Sequence, residues 1–157
     1  MSTVDKSIEV NVPIHTAYNQ WTQFEDFPQF MEGVKEVRQL DDTHLHWVAS
    51  VAGKEEEWDA QITEQSPDQR IAWSSRSGAR NGGVVTFHRI SDDVTRIMLQ
   101  IEYDPQSFTE KAGDALGLVS RRVEGDLQRF KEFIESRGAE TGAWRGTVSQ
   151  GQTQPRL

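Results

Sequence analysis

The sequence predicts an α+β fold: one strand, two short helices, six further strands completing a seven-stranded antiparallel sheet, and one long C-terminal helix. Three observations predict it. Short alternating segments run from Val34 to Tyr103 with only turn-sized gaps between them. An aromatic-rich stretch interrupted by Pro28 precedes them, and an apolar stripe stepping by fours and threes follows them as far as Gly138.

Each element has its own signature. Residues 6–12, KSIEVNV, alternate Ile8, Val10 and Val12 with polar neighbours, the pattern of a half-buried strand, and Pro13 suits a strand end or a first helical turn. Tyr18, Trp21, Phe24, Phe27 and Phe30 then recur every third residue. On one continuous helix each would sit about 60° back from the last, so no single face could bury them all. Pro28 disfavours helical dihedrals at Phe27, which divides the stretch into two short helices bent near Phe24 to Pro28. The segments VKEVRQL, HLHWVASV, EEEWDAQITEQ, RIAWSSRS, GGVVTFHRI and TRIMLQIEY follow, with connections too short for crossover helices. Alternation puts Leu45, Trp47, Ala49 and Val51 on one face; the same face is continued by Trp58, Ala60 and Ile62, then Ile71, Trp73 and Ser75. Val85 with Phe87, and Ile97 with Leu99, Ile101 and Tyr103, complete an aromatic and aliphatic surface.

The closing helix carries Ala112, Leu116, Val119, Val123, Leu127, Phe130 and Ile134 along one stripe and ends at Gly138. Gly113 and Gly117 lie near that stripe, where they mark either a bent first half or a close approach to the backbone. Residues 1–138 make the domain. Residues 139–157, with Trp144 as their one large apolar anchor amid Gly, Thr, Gln and Ser, read as a flexible C-terminal tail.

The 157 residues suit one domain large enough to bury a core without staples. The absence of cysteine removes thiolate chemistry and Cys-ligated metals, and it fits a reducing compartment. The charged, mixed start and the lack of a membrane-length apolar run predict neither a secretory signal nor an integral membrane segment, and hence a cytoplasmic protein. A net charge of −8 argues against nucleic-acid binding, since Arg121, Arg122, Arg129 and Lys131 are interleaved with Glu124, Asp126 and Glu132 as on a solvated helix face.

Chemistry-bearing residues are sparse. His44 and His46 share a strand face at ligand-like spacing, but no third ligand stands nearby, so no metal is expected; His15 and His88 lack a visible partner. SGARNGG at 77–83 lacks the lysine and the strand-to-helix context of a phosphate loop. The apolar sheet face offers only Ser75 and Tyr103, and Glu56 if the Trp58 register continues to the strand's start.

The stretches VNVPIHTAYNQWTQFEDFPQFMEGVKEV (10–37), WVASVAGKEEEWDAQITEQSPDQRIAW (47–73), GGVVTFHRI (82–90) and VSRRVEGDLQRFKEFIESRG followed by ETGAWRG (119–146) resemble the polyketide cyclase/dehydrase and coenzyme-Q-binding branch of the START-like (SRPBCC) superfamily. The resemblance implies a helix-grip fold whose curved sheet wraps the long helix around a deep cavity, with the short helices near its mouth. It implies a hydrophobic or aromatic small-molecule ligand, such as a lipid or quinone, and no cofactor. The sheet would contribute Trp47, Trp58, Trp73 and Ser75 from its middle strands, and Phe87, Leu99, Ile101 and Tyr103 from the next two. Leu116, Val119 and Val123 would come from the helix, with Phe27 and Phe30 at the entrance. A core filled by these same side chains is the alternative. Two further readings stay open: a polyketide aromatase/cyclase with Tyr103 as proton donor and Ser75 orienting the substrate, and a ligand-free interaction module, with a homodimer possible in either case.

Overall fold

The computed structural model describes residues 2–51, 53–105 and 115–154. Each alternating segment forms a strand: β1 Ser2–Val10, β2 Val34–Gln39, β3 His44–Val51, β4 Lys54–Ser66, β5 Arg70–Gly78, β6 Asn81–Ser91 and β7 Val94–Tyr103. They pair antiparallel in the order β1-β7-β6-β5-β4-β3-β2, so six are hairpin neighbours and β1 joins the far edge beside β7. β1 starts earlier than the alternation at 6–12 indicates, pairing with β7 from Ser2↔Tyr103 to Val10↔Thr95 before the chain turns into Pro13. The face expected to be apolar is the buried one: Leu45, Ala49, Trp58, Ala60, Ile62, Ile71, Val85, Phe87, Ile97, Leu99 and Tyr103 are all at most 9% exposed.

Pro13 caps α1 (Ile14–Trp21) with a helix-compatible φ of −59°. α1 stops where Thr22 Oγ1 donates to Asn19 O at 2.6 Å, and a 3-10 helix, Phe24–Gln29, takes the chain through Pro28. The long helix α2 spans Ala115–Arg137 and buries Val123, Leu127, Phe130 and Ile134. It ends at Gly138, whose φ of +72° suits glycine and whose N–H bonds to Ile134 O at 2.9 Å. Ala112 and Gly113 lie outside the described residues, as does the side chain of Leu116.

Trp21, Phe27, Phe30 and Phe130 close a ring of aromatic contacts, with centroids 5.7, 5.6, 5.2 and 5.0 Å apart around the circuit. Pairs of this geometry add roughly 0.5–1.5 kcal/mol each beyond area burial, so the circuit ties α1 and the 3-10 helix to α2. The triplet spacing therefore serves a bend: Trp21 and Phe30 reach α2 from either side of it, while Tyr18 packs on Phe87 of β6 and Phe27 on Trp47 of β3.

Residues 139–154, expected to be a loose tail, lie against the domain. Gln20 and Thr141 exchange two hydrogen bonds, at 2.9 and 3.1 Å, and Trp144 N–H donates to Thr22 Oγ1 at 3.1 Å. Arg145 donates to Asn19 Oδ1 at 2.6 Å and Asp68 Oδ2 at 2.8 Å, and its guanidinium lies 5.5 Å from the Tyr18 ring centre. Beyond it β8 (Val148–Ser149) pairs with Gln65 of β4 and with β9 (Gln152–Thr153). The physical reason is the end of α1, where Asn19, Gln20 and the following Thr22 are polar yet buried; this segment supplies their partners. Composition alone describes the segment as tail-like because its anchors are polar.

Candidate functional site

A cavity of about 270 Å3 lies between the concave sheet face, α2 and the 3-10 helix. Its deep end is formed by buried Trp21, Phe24, Phe27, Ile62 and Ile71, and its exposed end by Glu32, Gly53 and Leu118. Trp47 and Trp58, direct partners across β3 and β4, stack with centroids 5.7 Å apart and form one flat wall. Trp73 forms another, lying so close over Gly83 that a Cβ there would come 2.8 Å from its six-membered ring. The Trp73 indole N–H reaches Asn81 Oδ1 at 3.4 Å.

Of the expected ligand residues, Trp47, Trp58, Trp73, Leu99, Ile101, Tyr103, Val119, Val123 and Phe27 meet on this cavity wall. Three lie elsewhere. Ser75 lies within β5 opposite Ala60, where its Oγ accepts the Asn81 backbone N–H at 3.1 Å. Phe87 packs edge-on against Tyr18 and Trp21, at 5.3 and 6.2 Å, beyond the cavity's deep end. Phe30 stands behind Phe27, enclosed by Phe27, Phe130 and Phe133, because the 3-10 turn rotates it away from the space its neighbour faces. Phe27 itself is 2% exposed and closes the interior rather than the entrance. Glu56 turns toward Lys54 Nζ, 3.7 Å away, and is not on the wall.

The histidines stay off the cavity wall as well. His46 Nδ1 lies 2.7 Å from Asp59 Oδ1 and its Nε2 3.1 Å from Glu57 Oε1, and these two carboxylates raise its pKa. His44 sits against Asp41 at 2.9 Å, and His88 against Thr86 at 2.9 Å. Among the described residues no group of three His, Asp or Glu side chains could hold a metal ion.

The exposed end carries the charge. Arg122 Nη1 donates to Glu32 O at 2.8 Å and Ser50 O at 3.1 Å, tying α2 to the loop before β2 and to the end of β3. Gly33, with φ +86°, makes this possible: a Cβ there would lie 1.9 Å from Nη1. One turn on, Asp126 accepts from Arg129 Nη2 at 2.5 Å and from the Glu32 N–H at 3.1 Å. Burial pushes the Asp126 carboxyl up to about 6, against the pull of Arg129 and Arg122.

The family described as polyketide cyclase/dehydrase and lipid transport matches residues 10–132. The chain belongs to this family. An uncharacterised 17.2 kDa protein of Streptomyces lincolnensis is 62% identical over 149 residues, covering 94% of this chain and 99% of that protein. A START superfamily protein from Mycobacterium smegmatis has a TM-score of 0.76 at 14% identity, over 86% of this chain and 98% of its own. The Zhui aromatase/cyclase from Streptomyces sp. R1128 has a TM-score of 0.73 at 16% identity, over 91% of this chain and 99% of its own. At these identities the two structures show a shared helix-grip fold. Among the described residues of this polyketide cyclase/dehydrase family member, no helix is long and apolar enough to cross a membrane.

Sequence reasoning missed Arg122, Asp126, Gly33 and Asn81. Arg122 and Asp126 read as solvated because their neighbours alternate in charge. The signal was available in their spacing: each stands three residues after a stripe position, Val119 and Val123, and so flanks the buried face.

Proposed function

We propose that this family member binds one flat hydrophobic or aromatic molecule between the sheet and α2. The observation that supports the reading is the apolar cavity of about 270 Å3, walled by Trp47, Trp58 and Trp73 and open past Glu32, Gly53 and Leu118. Pockets of this kind are lined mostly by apolar and aromatic side chains with few polar groups. Scaling from a ~150 Å3 cavity that holds benzene, the space suits about ten or eleven non-hydrogen atoms, or two fused rings. A polyketide-derived aromatic, a quinone headgroup or one end of a lipid fits that description, and we place the activity in the cytoplasm.

Native mass spectrometry of freshly purified protein, with 2-naphthylmethanol titrated against tryptophan fluorescence, tests the reading. One co-purifying molecule per chain, or saturable quenching at one site, is the expected result. A clean spectrum together with no saturable binding of planar aromatic probes would return the cavity to a packing defect.

A second reading, ring closure of a poly-β-keto chain, is favoured by Tyr103, which is 2% exposed on the cavity wall and carries an acidic hydroxyl. There Tyr103 would donate its hydroxyl proton to the substrate carbonyl attacked in ring closure, as the new C–C bond forms and the C=O π electrons pass to that oxygen. Ser75 has no part in it, being off the cavity wall and engaged with the Asn81 N–H at the start of β6. A full poly-β-keto chain exceeds what the cavity holds, so this reading also requires the mouth to widen. Turnover of a model polyketone that survives Tyr103→Phe unchanged would remove that step.

A further inference from the structure

Around the cavity's exposed end the charges divide unequally. Arg129 is matched by two carboxylates, Asp126 at 2.5 Å and Glu32 at 3.4 Å. Arg122, on the cavity wall itself, has no carboxylate within ion-pair distance among the described residues, though it is near enough to Asp126 to pull on its titration; its hydrogen bonds among them go to the backbone carbonyls of Glu32 and Ser50, both from Nη1. A guanidinium carries five N–H donors in a planar fork. Those on Nε and Nη2 make no hydrogen bond among the described residues. The two carbonyls therefore fix the side chain by one edge and leave the other edge of the fork uncommitted beside an apolar space.

Arg122 is half-buried at the mouth, and a guanidinium fork matches two oxygens of one anion best. Gly33 also belongs to the arrangement. Its φ of +86° and missing side chain let the arginine lie flat on the loop, where any Cβ would displace it. The mouth of a mostly apolar space thus carries, beside Glu32 and Asp126, one guanidinium edge with no carboxylate against it among the described residues.

We propose that the molecule bound here carries an anionic oxygen group, a carboxylate or an acidic enol or phenol, held by Arg122 at the mouth while its aromatic body lies against Trp47 and Trp58. The inference rests on the cavity being a binding site, as proposed above. Arg122 is then a specificity residue: it selects acidic aromatics over neutral ones of the same size.

The test compares 2-naphthoate with 2-naphthylmethanol at pH 7.5, by calorimetry on the full chain. The expected result is at least tenfold tighter binding of naphthoate, a preference that shrinks as NaCl rises from 20 to 500 mM and disappears in Arg122→Met. Arg122→Lys, which keeps the charge and loses the fork, should retain an intermediate preference and covers the case in which Arg122→Met does not fold. Equal binding of the two probes to wild type, or a preference that survives Arg122→Met, overturns the inference and leaves the cavity reading standing. Binding of neither probe overturns both.

Discussion

Trp47 and Trp58 face each other across β3 and β4 with ring planes only 11° from parallel. Their stacking gives the sheet a flat aromatic surface where alternating aliphatics would give a ridged one. Because part of that surface faces the cavity, Trp58→Ala removes less packing than the ~3–5 kcal/mol typical of a Trp→Ala change in a filled core. A loss of about 2 kcal/mol in urea denaturation is expected, with about tenfold weaker binding of 2-naphthylmethanol. Binding that fell only in proportion to the folded fraction would show that the pair is plain core.

Gly33→Ala strains the backbone and strikes Arg122 at once. With φ +86° and a Cβ 1.9 Å from Arg122 Nη1 and 2.8 Å from Ser50 O, the variant should lose at least ~2 kcal/mol. Adding Arg122→Ala should recover part of that loss, since the φ and Ser50 penalties persist. A double-mutant cycle in urea measures the recovery, and strict additivity would deny that the two residues touch.

Asp126 makes stability fall as pH rises through its titration. Its folded pKa of about 6 lies above the ordinary 3.8, so the folded chain holds an extra proton between those values and loses stability across that window. The full shift of about two units corresponds to ~3 kcal/mol at most. Asp126→Asn lacks the titration, so its stability relative to wild type should improve from pH 4 to about pH 6 and level off above that. Denaturation curves at four pH values between those limits decide it; a constant difference would mean that Arg129 holds the carboxylate ionised throughout.

Removing residues 139–157 leaves Asn19, Gln20 and Thr22 without the partners that bury them. Each orphaned buried polar group costs about 1–3 kcal/mol, so the truncated chain should melt far below wild type, and Arg145→Ala alone should cost about 1–3 kcal/mol. Thermal melts followed by circular dichroism measure both. An unchanged melting temperature on truncation would restore the reading of a flexible tail.

How far the sequence could be read depends on the range of each interaction. The strands and their inward faces were legible because alternation is a local property: Leu45, Trp47 and Ala49 declare their face within five residues. The bend at Pro28 was legible for the same reason. Ser75 and Phe87 carry the correct face but the wrong place along it, because alternation says which way a side chain points and not how far along the sheet the cavity extends. Residues 139–154 were misread because their anchors are polar side chains whose partners sit far back in the chain.

By itself the sequence determined the fold class, the order of elements from β1 to the long helix and the buried face of the strands from β3 to β7, all consequences of backbone periodicity and of the chemistry of proline and glycine. Only the tertiary structure decided which of those buried residues leave space between them. Only it brought Arg122 to Ser50, 72 positions away, and Arg145 to Asn19, 126 positions away. Sheet curvature and helix placement set those distances, and they arise from the packing of the whole chain rather than from any segment of it.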